Sequence, residues 1–231
     1  MAFTQKTNAA PAGLLSREAI ERCMQPGASS VIAADEPHGY LISVVVGAGI
    51  YRPRTVAGLF RIQGDGDRID PSPRRVEMVQ TLLNSLSEDL LQMAHTVFDA
   101  AKELSNCTIL VDQGGLGTHF IKILEILGAE HVIGSTWGRA PERPEHRARF
   151  FNLRAQCNVH AAEALKDGRI TLVAAADLVE QGSTLPYHFD ERGRYHMRSK
   201  EEMHTLKIPS CDAWDVVAMA FLESASCVPA Q

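Results

Sequence analysis

The sequence predicts an α/β fold with a mixed sheet, and three features carry that reading. A β-branched hairpin comes first, strand–helix units alternate after it, and an apolar helix closes the chain. No repeat, low-complexity tract or long linker interrupts this order. Residues 14–231 therefore read as one domain behind a loose polar tail over 1–13.

Each element has its own signal. "LLSREAIERCM" has apolar residues at helical spacing behind a Ser16 cap. "GYLISVVVGAGIY" and "TVAGLFRIQG" are too β-branched for anything but strands, and Pro53 in "YRPR" breaks the run between them into a hairpin. "GDGDRIDPSP" is turn chemistry. From 73 to 105 apolar residues recur every three or four positions. That spacing predicts a long helix with a break near Ser85 to Ser87, where "SLSED" resembles a new N-cap. "CTILVD" reads as a strand, "THFIKILEILG" as a helix ending at Gly128, and "HVIGSTW" as another strand. "FFNLRAQCNVHAAEALKDG" is a helix closed by Gly168, and "RITLV" begins a short element. "DLVEQGSTL" predicts a helix, "YHFDERGRYHM" a small hairpin, and "CDAWDVVAMAFLESA" the last helix.

Composition narrows the function. The 23 basic and 28 acidic residues leave a net charge of −5, which disfavours a surface that grips nucleic acid everywhere. A local patch remains: Arg139, Arg143, Arg147, Arg149 and Arg154 face only Glu142 and Glu145 in their segment. The bland reading of that run is a solvated face whose arginines pair with the two glutamates. No apolar run approaches the ~20 residues of a membrane helix. The five cysteines form no CxxC pair, which argues against a disulfide framework or a zinc knuckle. HExxH, GxSxG and Cys/His nucleophile patterns are absent, so covalent acyl chemistry has no support. His119 and His160, inside helices, read as packing or surface residues, and Trp137 and Trp214 as core or rim aromatics.

The stretch "ILVDQGGLGTHF" admits two readings, a glycine loop cradling a phosphate or a strand end presenting one carboxylate. Neither GxxxxGK[ST] nor GxGxxG occurs, so the second reading prevails. Asp112 then ends a strand where open α/β sheets place their sites, and the glycines permit a sharp turn and a close approach. Asp212 and Asp215 open the final helix on one face, against an apolar flank of Val216, Val217, Ala218 and Met219. Two carboxylates there repel unless solvated or neutralised by a cation. An oxygen-only set without His or Cys suits Mg²⁺ or Mn²⁺.

"LVDQGGLGTHFIKIL", "FNLRAQCNVHAAEALKDGRITL" and "MRSKEEMHTLKIPSCDAWDVVAMAF" together resemble the C-terminal nuclease domain of the large terminase subunit of tailed bacteriophages, over roughly residues 14 to 222. The resemblance implies an RNase H-like fold, a mixed sheet with helices on both faces, and a divalent-metal endonuclease. Such a domain cuts concatemeric double-stranded DNA during genome packaging in the host cytoplasm. It implies a two-ion site with Asp112 and Asp212 as catalytic ligands, Asp215 as a neighbouring ligand, and Lys200 close to the metal or the phosphate. It also implies the terminase ATPase domain, the small terminase subunit and the portal as partners, with no membrane. A Walker A lysine and an acidic Walker B run are missing, so the chain is expected to be the nuclease part alone.

One departure is serious. The family's first strand ends in an Asp, and "VVVGAGIY" offers Gly47, Ala48 and Gly49 instead. Asp35, Glu36, Asp65 and Asp67 are the nearest acids in sequence. The rival expectation is therefore a catalytically silent RNase H-like module that binds DNA or docks the packaging complex. A resolvase or integrase is a weaker third reading, disfavoured by the "SKEEMHTLKIPSCDAWD" segment. The arginines at 139, 143, 147 and 149 are expected to meet DNA, because "HVIGSTW" should lie beside the Asp112 strand and open on the same edge.

Overall fold

The computed structural model describes residues 13–24, 30–49, 51, 53–64, 73–86, 89–223 and 225. Of the expected tail over 1–13, residues 1–12 lie outside the described residues, as do Asp65 and Asp67, while Gly13 forms an antiparallel bridge with Pro186. A six-stranded sheet of order β5-β4-β1-β2-β3-β6 organises the rest. The hairpin is β1 (Gly39–Val45) and β2 (Thr55–Gln63), paired antiparallel. β4 (Cys107–Asp112) joins β1 in parallel, and β5 (Val132–Ser135) joins β4 in parallel with Asp112 opposite Ser135. β3 (Arg75–Ser85) runs antiparallel to β2, and β6 (Ile170–Thr171) is parallel to β3. The parallel pairings place the carboxyl ends of β1, β4 and β5 along one edge.

Helices cover both faces, as the sequence predicts. One core joins Ile42, Val44, Val46 and Val111 to α2 (Leu90–Lys102) and α3 (Gly117–Leu127). The larger core joins Leu41, Val45 and Leu110 to α1 (Arg17–Arg22), α5 (Leu153–Lys166), α6 (Ala176–Ser183) and α8 (Asp212–Met219). Trp214 and Trp137 are buried in that second core. A two-stranded hairpin of β7 (Tyr187–Phe189) and β8 (Tyr195–Met197) stands apart from the main sheet. Among the described residues no helix is long and apolar enough to cross a membrane.

The predicted helix over 73–105 is corrected in its first half, which is the eleven-residue strand β3. Val76 and Met78 alternate inward there, and β2 pairs with the strand from Arg75 to Ser85. That ladder overrides a helix-compatible local spacing. The break stands, but Asp89 rather than a serine caps α2, accepting from Gln92 N at 3.0 Å. Two short helices go beyond the sequence pattern: α4 (Pro144–Arg149) and α7 (Lys200–Thr205). The second has a legible signal, because Ser199 and Glu202 form a reciprocal capping box.

Candidate metal centre

The glycine loop after β4 closes back on the strand end. Asp112 shares its face with Leu110, toward α8, and is 2% exposed. Its Oδ1 accepts from Gly114 N at 3.0 Å, an Asx turn that fixes the carboxylate's rotation. A side chain on Gly117 would overlap the Asp112 carbonyl oxygen, so only glycine lets α3 start so close to the strand. Gly115 has φ +63° and abuts Ala48, which ties the Asp112 loop to the connection between β1 and β2.

From the other side comes α8, packed on β1 and β2. Its N-cap, Cys211, makes no capping bond. Gln181 of α6 substitutes, its Oε1 accepting from Ala213 N at 2.8 Å and Trp214 N at 3.3 Å. This anchors the turn that holds Asp212 and Asp215, which are 1% and 0% exposed. Ser210 Oγ lies 2.9 Å from Asp212 Oδ2 and 3.3 Å from the Tyr51 carbonyl oxygen. Through Tyr51, Ala48 and Gly115, the Asp112 loop, the hairpin connection and the start of α8 gather at one edge of the sheet.

Two cations meet the α8 acids. Lys200 Nζ pairs with Asp212 and lies 2.9 Å from Asp215. Arg154 Nε is 3.3 Å from Asp215 Oδ1, while its other nitrogens reach the Arg198 carbonyl and Cys211 Sγ, each at 2.8 Å. Burial opposes the Arg154 charge, but the Asp215 carboxylate and the Cys211 thiol outweigh it and raise its pKa above the ordinary value. Burial and Asp215 push the Cys211 thiol up to about 11, so it stays a neutral partner. Two carboxylates and two cations thus balance in the interior, which answers the repulsion expected of two acids on one helical face.

The oxygen-only donors Asp112, Asp212 and Asp215 suit a hard divalent ion by type. In the arrangement described, Lys200 and Arg154 take the cationic places beside the α8 pair. Among the described residues no three His, Cys, Asp or Glu side chains are set to hold an ion. Asp35 and Glu36 cannot supply the missing acid. They precede β1, about 20 Å along the strand from its carboxyl end, and Glu36 pairs with Arg75 at 3.0 Å. Position 47 continues the alternation of Leu41, Ser43 and Val45, so it falls on the Asp112 face. A Cβ there would sit 3.1 Å from the Arg54 backbone. Gly49 has φ +80° and open space around it.

β5 lies beside β4, as predicted, so the chain leaves the sheet next to Asp112 and enters the arginine segment. Both ends of that segment are pinned together, Leu153 N donating to Arg139 O and Arg154 N to Trp137 O. Arg139 pairs with Glu142, Arg143 with Glu145 at 3.9 Å and Arg149 with Glu163 at 2.5 Å, while Arg147 Nε donates to the Pro141 carbonyl. Arg139 and Arg149 have solvent-exposed pairs of the kind worth little, so these contacts do not commit either arginine.

The architecture, a mixed six-stranded sheet with helices on both faces, is shared with solved nuclease domains of large terminases. The nuclease domain of the large terminase subunit gp2 of bacterial virus Sf6 superposes with a TM-score of 0.69 at 13% identity, covering 90% of this chain and 98% of that one. A point variant of that domain with manganese gives 0.67 at 14%, covering 90% and 98%. The large terminase nuclease from thermophilic phage G20c with bound magnesium gives 0.56 at 11%, covering 94% and 99%. In sequence, the chain is 28% identical over 212 residues to a probable large terminase subunit of Enterobacteria phage P7. That match covers 90% of this chain and 41% of the phage protein, so the chain spans about two-fifths of its relative's length. No family model matches. The chain is thus similar in sequence to part of a probable large terminase subunit and shares its fold with large terminase nuclease domains.

Proposed function

We propose that this chain is the divalent-metal-dependent endonuclease part of a large terminase, cutting concatemeric double-stranded DNA during genome packaging. The observation that carries the reading is the gathering of Asp112, Asp212, Asp215 and Lys200 at one sheet edge, in a fold shared with nuclease domains determined with manganese and magnesium. Asp112 and Asp212 would hold the ion, with Asp215 behind Asp212. A bound Mg²⁺ or Mn²⁺ supplies charge neutralisation at the phosphate and a more acidic water. Ser210 and the Gln181-capped first turn hold Asp212 in place, and the Asx turn holds Asp112. Lys200 balances the acids and, with an ion bound between Asp112 and Asp212, would be placed to offer its ammonium to the phosphate. In packaging, the DNA, the ATPase domain of the same subunit, the small subunit and the portal are the partners, in the host cytoplasm. The nuclease neighbours do not favour the silent-module reading.

Supercoiled plasmid incubated with the protein should be nicked and linearised with Mn²⁺ or Mg²⁺ and left intact with EDTA. A parent chain inert with every divalent ion overturns the enzyme reading and returns the site to a structural role.

DNA should approach across the arginine segment, because it begins beside Asp112. Neutralising Arg143, Arg147 and Arg149 to glutamine together is expected to weaken binding to random duplexes about equally. The slope of log affinity against log salt should flatten by up to about 0.9 for each phosphate that is no longer neutralised. Unchanged affinity and slope would leave these arginines as surface groups held by Glu145, Glu163 and the Pro141 carbonyl.

A further inference from the structure

Among the described residues only Asn106 and Lys207 have positive φ without being glycine. Asn tolerates the left-handed region through its short polar side chain. Lys carries a Cβ that makes this region costly, and Lys207 holds it at φ +57°. The position is the residue after the α7 C-cap Leu206, with Lys207 N donating to His204 O at 3.0 Å and Ile208 N to Met203 O at 2.8 Å. That pair of bonds is a Schellman closure, in which glycine is the usual occupant of this site. An exposed lysine there carries backbone strain that glycine would remove, and among the described residues it makes no ion pair. The closure accounts for the left-handed backbone but not for a lysine where glycine is the usual occupant, and that choice points to use.

Its surroundings give that use a direction. The His204 ring meets the ring of Tyr51 edge-on, with centroids 5.3 Å apart, and Tyr51 is 40% exposed. The Tyr51 carbonyl touches Ser210, which holds Asp212. α7 itself begins at Lys200, on the two acids. Lys207, His204 and Tyr51 therefore form an exposed rim linked through Ser210 to the candidate metal centre.

We infer that Lys207 is a DNA-positioning residue, holding a backbone phosphate that flanks the scissile bond, with the Tyr51–His204 pair as the floor beneath the strand. The inference rests on the nuclease reading. It gives the duplex a point of attachment besides the arginine segment.

Lys207→Gly separates strain from use. The probe is a fluorescein-labelled random-sequence 30-base-pair duplex in EDTA, titrated across a range of salt concentrations, with melting temperature measured in parallel. The variant should melt higher by about 2–4 °C, since the left-handed backbone no longer carries a Cβ. It should also bind the duplex several-fold more weakly, with the salt slope reduced by about 0.9. Lys207→Arg should restore affinity and slope, because it keeps the charge. A glycine variant that melts higher yet binds as the parent does overturns the assignment and leaves the nuclease reading intact. Weaker binding accompanied by a lower melting temperature also counts against it. If the parent binds no duplex even at low salt, both readings fall.

Discussion

Asp112→Asn and Asp212→Asn are each expected to lower Mn²⁺-dependent plasmid cleavage by ~10²-fold or more while the protein stays folded. Each exchange keeps the shape of the side chain and the hydrogen bond that orients it, from Gly114 N in one case and Ser210 in the other. Each removes the charge that binds the ion and stabilises the transition state. Cleavage retained by either variant would show that the reaction uses other acids. The same assay addresses the strand that lacks its acid. Gly47→Asp is expected to raise cleavage, since position 47 lies on the Asp112 face and needs a shift of only a few tenths of an ångström at Arg54. Gly49→Asp is expected to leave cleavage unchanged. It must accept φ +80°, at a cost of about 1 kcal/mol, and its Cβ meets nothing within 4 Å. Equal rates for both aspartates would place the strand end in a different register.

The residues make legible whatever one element decides by itself. The β-branched run of β1, the Ser16 cap, the glycine stops and the strand-end position of Asp112 are all local signals, and the fold keeps them. β3 escapes such a reading because its identity is settled by β2: the spacing of Val76, Met78, Leu82 and Leu83 suits either period, and the ladder decides. The glycines of "GGLG" do permit the close approach that their pattern suggests. That Gly115 answers to Ala48, however, depends on a neighbour more than sixty residues away and leaves no trace in the local pattern. The acids are visible in the sequence, but their neutralisation is not. Arg154 groups by position with the arginines of the surface segment, yet it is the buried member, at 8% exposure, because it starts α5 and turns inward. Five residues past Arg149, the start of α5 places the guanidinium against Asp215. Gln181 gives no signal either, since capping α8 from another helix is purely tertiary.

That inward arginine gives the largest expected change in stability. Arg154→Met should cost about 3 kcal/mol, because it takes one of two neighbouring cations from the fully buried Asp215 and frees the Arg198 carbonyl and the Cys211 thiol. In a protein of this size that corresponds to a melting temperature lower by roughly 6–12 °C. Arg154→Lys should recover little, since a single ammonium cannot reach Asp215, Cys211 and Arg198 together. Adding Asp215→Leu to Arg154→Met should recover most of the loss, because an apolar pair replaces a broken ionic one. Cleavage should stay low in that double variant, since the acid behind Asp212 has gone. The two readouts therefore part company: stability returns with the removal of Asp215 and activity does not. If Arg154→Met melts with the parent, the buried ion pair is not what fixes the first turn of α8, and the placement of Asp212 must be credited to Gln181 and Ser210 alone.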